Sequence, residues 1–186
     1  MALGEAILAC LTEGPMTGYE LARSFDTSIG FFWRADHQQI YRELGRLREL
    51  GHAIPQEVVQ TSKPNKQVYS ITPEGRAALR AWSALPAASP TIKDDLLVRL
   101  YALDGVDPRA LRDQVAARMA YHRERLARFE HILQQRFSEP ARNLREIGRR
   151  LGLARGLRYE RDWVEWCEDA LVALAAHLPE AAPGQP

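Results

Sequence analysis

Gln38, Arg42 and Arg46 recur at four-residue intervals, and side chains of these types can read the edges of nucleic-acid bases. A glutamine amide bonds adenine through two atoms at once, and a guanidinium does the same with guanine. With Gly45 they lie roughly opposite Ile40, Leu44 and Leu47, which share an apolar face at helical spacing. Tyr41 and the first helical turn, where His37, Gln38 and Gln39 stand, suit phosphate oxygens, because the leading N–H groups of a helix have no partner inside it. A solvated helix face would have the same composition, so the helix alone does not decide. Lys63-Pro64-Asn65-Lys66 follows as a basic turn between two strand-like runs. From such a ribbon tip Lys63, Asn65 and Lys66 would reach the flanking backbone or the minor groove. A recognition helix and then a basic hairpin is the order in which a winged helix-turn-helix grips duplex DNA.

The surrounding elements are placed to carry these residues. Residues 2–11 form an amphipathic helix closed by Gly14-Pro15. Thr17 and Glu20 make a capping box for a second helix running to about residue 25. Phe31, Phe32 and Trp33 are core anchors ahead of a second capping box, Asp36 with Gln39, which opens the helix of residues 37–50. Gly51 ends it. Residues 53–60 and 67–72, rich in Val, Ile and Tyr, are two strands, and Thr72-Pro73 starts a fourth helix to about residue 85. Pro86-Ala87-Ala88-Ser89-Pro90 breaks the pattern and marks a domain boundary.

Beyond the break the chain is wholly helical. Residues 93–103 form one helix, and Asp107-Pro108 caps a long second one carrying Leu111, Val115, Met119, His122, Leu126, Phe129 and Leu133 on a near-heptad seam. A loop near Ser138-Glu139-Pro140 leads to a last helix ending near residue 178, whose seam is Val164, Cys167, Leu171, Leu174 and Leu178. Gly148, Gly152 and Gly156 recur on one face, which suits either close approach of a partner helix or a broken helix. Candidate contacts with a second copy are Leu3, Ile7, Met119, Leu126, Gly152, Val164, Cys167, Leu171 and Leu174. Trp163 and Trp166 stand beside the seam as candidate walls for a flat effector, although such a pair is more often ordinary core or interface. Residues 179–186 are expected to be a disordered tail.

Composition excludes several classes. With 46% hydrophobic and 26% charged residues the chain is an ordinary globular protein, and no apolar run approaches the length of a membrane span. The apolar start carries Glu5 and Glu13 without a basic leader, which is not the pattern of a signal peptide. Cys10 and Cys167 read as buried free thiols of a reducing cytoplasm. Cys and His never cluster, so no metal site is expected, nor any cofactor. None of the five His pairs with Ser or Cys in a nucleophile motif, and no glycine-rich phosphate loop occurs, which argues against an enzyme. A net charge of +1 favours the rival class, a winged protein-interaction module that does not bind DNA. The discriminating feature is whether Arg42, Lys63 and Lys66 share one exposed face.

Three runs carry a further signal: residues 13–21, Glu-Gly-Pro-Met-Thr-Gly-Tyr-Glu-Leu; residues 39–44, Gln-Ile-Tyr-Arg-Glu-Leu; and residues 69–75, Tyr-Ser-Ile-Thr-Pro-Glu-Gly. With Phe32-Trp33 and Leu47 to Gly51, they make residues 3–85 resemble the DNA-binding domain of PadR-type transcriptional regulators. Asp95-Leu96-Leu97-Val98-Arg99-Leu100 and a Trp-bearing terminal helix extend the resemblance over nearly the whole chain. It implies DNA contacts from Tyr19, Gln38, Gln39, Tyr41, Arg42 and the wing lysines, and a homodimer joined through the C-terminal helices. The expectation is a mainly α protein. A winged helix-turn-helix, a three-helix core with a β-hairpin wing, occupies residues 1–86. A helical, antiparallel, coiled-coil-like dimerisation and effector domain occupies residues 87–178. The expected function is that of a homodimeric repressor on a pseudo-palindromic operator, open to a small-molecule or other signal.

Overall fold

The computed structural model describes residues 3–27, 29–31, 33, 35–59, 65–87 and 89–177, without the side chains of residues 26, 27 and 31. Phe32, Lys63, Leu178 and the tail at 179–186 lie outside the described residues, as does the side chain of Phe31. The chain divides into two compact units, Met1–Ser89 and Pro90–Pro186.

The first unit runs α1 (Leu3–Leu11), β1 (Met16–Thr17), α2 (Gly18–Thr27), a 3-10 turn (Ile29–Phe31), α3 (His37–Glu49), β2 (Ala53–Val58), β3 (Lys66–Ile71) and α4 (Pro73–Ser83). Its three helical stripes meet in one core: Ile7, Leu8 and Leu11 from α1, Leu21 and Phe25 from α2, and Ile40, Leu44 and Leu47 from α3. Trp33 packs against that core as a partly buried anchor. Each such side chain contributes about 1.5–3 kcal/mol by leaving water, so the set fixes the angle at which α3 is presented. The sheet has three strands in the order β1-β3-β2, all antiparallel, with Met16 opposite Tyr69 and Ala53 opposite Ile71. Sequence reading had two strands. β1 is only two residues long, too short to show a period, and exists because its backbone pairs with the edge of β3.

Caps set both ends of α3. Asp36 Oδ1 accepts from the Gln39 N–H at 2.7 Å while Gln39 Oε1 accepts from the Asp36 N–H at 3.1 Å. At the far end Gly51 takes φ of 69°, and the His52 N–H reaches back to the Leu47 carbonyl at 2.8 Å. The Thr17–Glu20 box at the start of α2 also closes, with the Glu20 N–H donating to Thr17 Oγ1 at 3.1 Å and the Thr17 N–H to Glu20 Oε2 at 2.7 Å.

The second unit runs α5 (Asp95–Tyr101), a 3-10 turn (Leu103–Gly105), α6 (Pro108–Arg136) and α7 (Leu144–His177). α5 is shorter than expected because Asp94 is its N-cap, accepting from the Leu96 N–H at 2.9 Å, which leaves Lys93 outside. Asp107 caps α6 as predicted. α6 and α7 are antiparallel: Arg123 pairs with Glu168 at one end and Glu130 with Arg161 at the other. α7 is one unbroken helix despite its glycines. Leu111, Val115, Cys167 and Leu174 join Leu96 in the core of this unit, with Trp163, Trp166 and Leu171 packed around them. Leu133 departs from the seam reading and is 38% exposed.

Candidate nucleic-acid interface

The capped first turns of α3 present His37, Gln38, Gln39, Tyr41 and Arg42, all exposed. Ile40, Leu44 and Leu47 are fully buried beneath them, so the polar face can only turn outward. Among the described residues the side chains of Gln38 and Arg42 have no hydrogen-bond partner and are available to a ligand. Gln39 is committed first to its cap.

Tyr41 sits on the flank of α3 toward α2, half exposed, with its ring over Gly18. A side-chain carbon at Gly18 would overlap Cε1 and Cζ of that ring, so a larger residue there would displace Tyr41 from its place beside α2. Tyr19, 64% exposed, is the next residue. The start of α2 and the start of α3 thus bring two phenols to one border.

Two of the expected contacts are engaged elsewhere. Arg46 lies toward α1, where its Nε and Nη2 both donate to Glu43 Oε1, at 2.9 and 2.6 Å. That hydrogen bond raises the Arg46 pKa further, with Glu5 of α1 adding attraction. Asn65 donates to Glu57 Oε1 across the hairpin at 2.8 Å. Lys66 opens β3 and is exposed; its charge reaches Glu20. Glu20 is held below its ordinary value first by its hydrogen bonds from Thr17 and then, against burial, by Lys66. Lys63, the other wing lysine, is outside the described residues.

The second unit contains a buried polar cluster that sequence reading missed. Glu160 is 1% exposed and uses both oxygens: Oε2 bonds Nδ1 of His122 at 2.5 Å, and Oε1 accepts from Nε of Arg125 at 2.7 Å. The Trp163 ring stacks on His122 at 5.0 Å, and the Arg118 guanidinium lies 5.0 Å from the centre of that indole. Arg118 in turn donates to Asp94 at 2.6 Å. Burial pushes His122 below its ordinary value, opposed by Glu160 and reinforced by the charges of Arg118 and Arg125. Trp163 and Trp166, expected as walls for an effector, meet edge to face at 5.3 Å and pack on the unit's own core. Among the described residues no His, Cys, Asp and Glu group could hold a metal ion, and no helix is long and apolar enough to cross a membrane.

Several of the residues expected to meet a second copy are covered within the chain itself. Ile7 and Cys167 are fully buried, and Val164 and Leu174 nearly so, within the chain's own cores. Their apolar spacing is satisfied inside one chain. Leu3 and Met119 are partly buried against those cores, and Leu126, Gly152 and Leu171 are half-buried. The apolar side chains that α7 exposes are instead Leu144, Ile147, Leu151 and Val172.

Residues 7–81 match the model of the transcriptional regulator PadR-like family, and residues 92–175 match that of the virulence activator alpha C-terminal domain. The probable transcriptional regulator Rv1176c of Mycobacterium tuberculosis is 36% identical over 94% of this chain and 98% of its own length. The chain belongs to the PadR-like family of transcriptional regulators. Two solved structures align along almost all of it. Bacillus subtilis PadR in complex with operator DNA is 26% identical with a TM-score of 0.78, covering 94% of this chain and 99% of that one. The Vibrio cholerae virulence activator AphA is 33% identical with a TM-score of 0.76, covering 95% and 99%. The chain is therefore a DNA-binding regulator with a winged-helix unit and a helical C-terminal unit.

Proposed function

We propose that this chain is a homodimeric repressor that reads a pseudo-palindromic operator with α3 and braces the flanking backbone with the β2–β3 hairpin. The observation that carries the reading is the outer face of α3: Gln38 and Arg42 are exposed beside Tyr41 on a helix capped at both ends. Gln38 and Arg42 take base edges; Tyr19, His37, Tyr41 and Lys66 take phosphates. Arg46 and Asn65 are left to their intramolecular partners.

Support for operator binding comes from the complex of the Bacillus subtilis relative with its operator. The residues 87–178 act as the dimerisation arm, with the apolar side chains that α7 leaves exposed facing the second copy. Repression needs nothing beyond occupancy, since a dimer across a promoter excludes polymerase. The chain acts by binding, without chemistry of its own, in the cytoplasm where chromosomal DNA is met. A small molecule that changes the spacing of the two α3 helices would release it.

The test is selection from a pool of random duplexes with the full-length chain, followed by anisotropy on the recovered sequence. An inverted repeat with half-sites about 10 base pairs apart, or a multiple, is expected. Transcription in vitro from a promoter carrying that repeat should fall as protein is added. Failure to enrich any sequence, with equal weak binding to all duplexes, would make a protein-interaction role the better account.

A further inference from the structure

Gly45 lies in the third turn of α3, and glycine is the poorest helix former after proline. At the other helical glycines of this unit an added Cβ would meet a neighbour. A Cβ at Gly4 would meet the Glu43 carboxylate, one at Gly18 the Tyr41 ring, and one at Gly75 the His52 carbonyl. Among the described residues, a Cβ at Gly45 would meet nothing within 4 Å outside its own stretch of helix. The fold gains nothing from its bareness and bears the cost of a flexible backbone.

Its position says what would gain. Gly45 is one turn beyond Tyr41 and Arg42 and two beyond Gln38, on the side away from the buried Ile40, Leu44 and Leu47. The major groove is about 12 Å wide and a helix with its side chains about 10–12 Å across, so one absent side chain matters to the fit. We infer that Gly45 is the point of closest approach between α3 and duplex DNA. With no side chain there, the third turn sinks against the groove wall, and the preceding turns carry Gln38 and Arg42 to the base edges. Gly45 is a positioning residue. The inference rests on α3 being the reading helix.

The experiment compares the full-length wild type, Gly45→Ala and Gly45→Leu on the duplex that the wild type enriches from a random pool. Thermal unfolding is followed in parallel. Gly45→Ala should melt a few degrees higher, because alanine relieves the helix of its glycine and meets no neighbour. Its affinity should nevertheless fall by about tenfold or more, with a larger loss for Gly45→Leu. Gain of stability with loss of affinity is a combination that a folding defect cannot produce. Unchanged or tighter binding by Gly45→Ala overturns the inference while leaving the DNA-reading role intact. A lower melting temperature overturns it too, since the glycine would then serve the fold. If the wild type enriches no duplex, the reading of α3 fails first and this inference goes with it.

Discussion

Arg42 and Arg46 stand one turn apart on α3 with the same side chain, yet the fold gives them different work. Arg42 projects from the outer face, whereas Arg46 is held by Glu43. Arg42→Ala should therefore weaken operator binding by about 1–3 kcal/mol and relax the preference at one base position, as anisotropy on duplexes mutated base by base would show. Arg46→Ala should leave that preference unchanged. The helical period in the sequence separates the buried side chains from the rest, but it cannot say which polar neighbour claims a guanidinium. Glu43 is three residues from Arg46 and Glu5 belongs to another helix, so the pairing required the packed structure. His122 makes the complementary case. Its folded pKa lies below the ordinary 6.5, so the unfolded chain binds the proton more readily. Stability of the second unit is then full above about pH 6.5 and falls as pH drops through the interval down to the folded value. Urea denaturation at a series of pH values should show that fall, and His122→Gln should flatten it. Asp94, kept below its ordinary 3.8 by the Arg118 hydrogen bond, adds a separate loss only at still lower pH.

α6 and α7 show how far a seam can be read. Val164, Cys167, Leu171 and Leu174 follow the alternating three- and four-residue spacing, and tracing it back leads through Glu160 to Leu157 and Leu153. A carboxylate at a seam position, opposite a seam that already holds His122, was the sequence signal for the buried pair. Its partner Arg125 was not legible, because it lies off the seam and reaches in from the side. Removing Glu160 strands both His122 and Arg125, so Glu160→Ala should cost about 3–5 kcal/mol of unfolding free energy, measured by chemical denaturation. The ion pairs Arg123–Glu168 and Arg161–Glu130 are about half exposed, and cutting either should change stability by less than about 1 kcal/mol. In the first unit the capping boxes and Gly51 were readable from residue types, since caps depend on neighbours within a few positions. β1 was not, because its strand character comes from β3 across the sheet. Thr17→Ala should cost about 1 kcal/mol by freeing the first turn of α2.

Both units are close to neutral. The first, the reading unit, contains nine basic and nine acidic residues, so it carries no net charge at neutral pH. Arg46 has Glu43, Asn65 has Glu57, and Lys66 lies within reach of Glu20. Composition alone revealed the balance, and the fold showed where opposite charges meet, Glu43 beside Arg46 and Glu20 within reach of Lys66. Binding to random duplex at physiological salt should then be unusually weak for a regulator, because the electrostatic share of affinity scales with the phosphates neutralised. Anisotropy on a scrambled duplex over a salt series would measure that, and a steep salt slope there would contradict it. Such a protein spends little time stuck to the wrong stretch of a chromosome. With binding that weak it would find its operator by many brief visits rather than long slides, and the rest of the genome would compete with the operator for few of its copies.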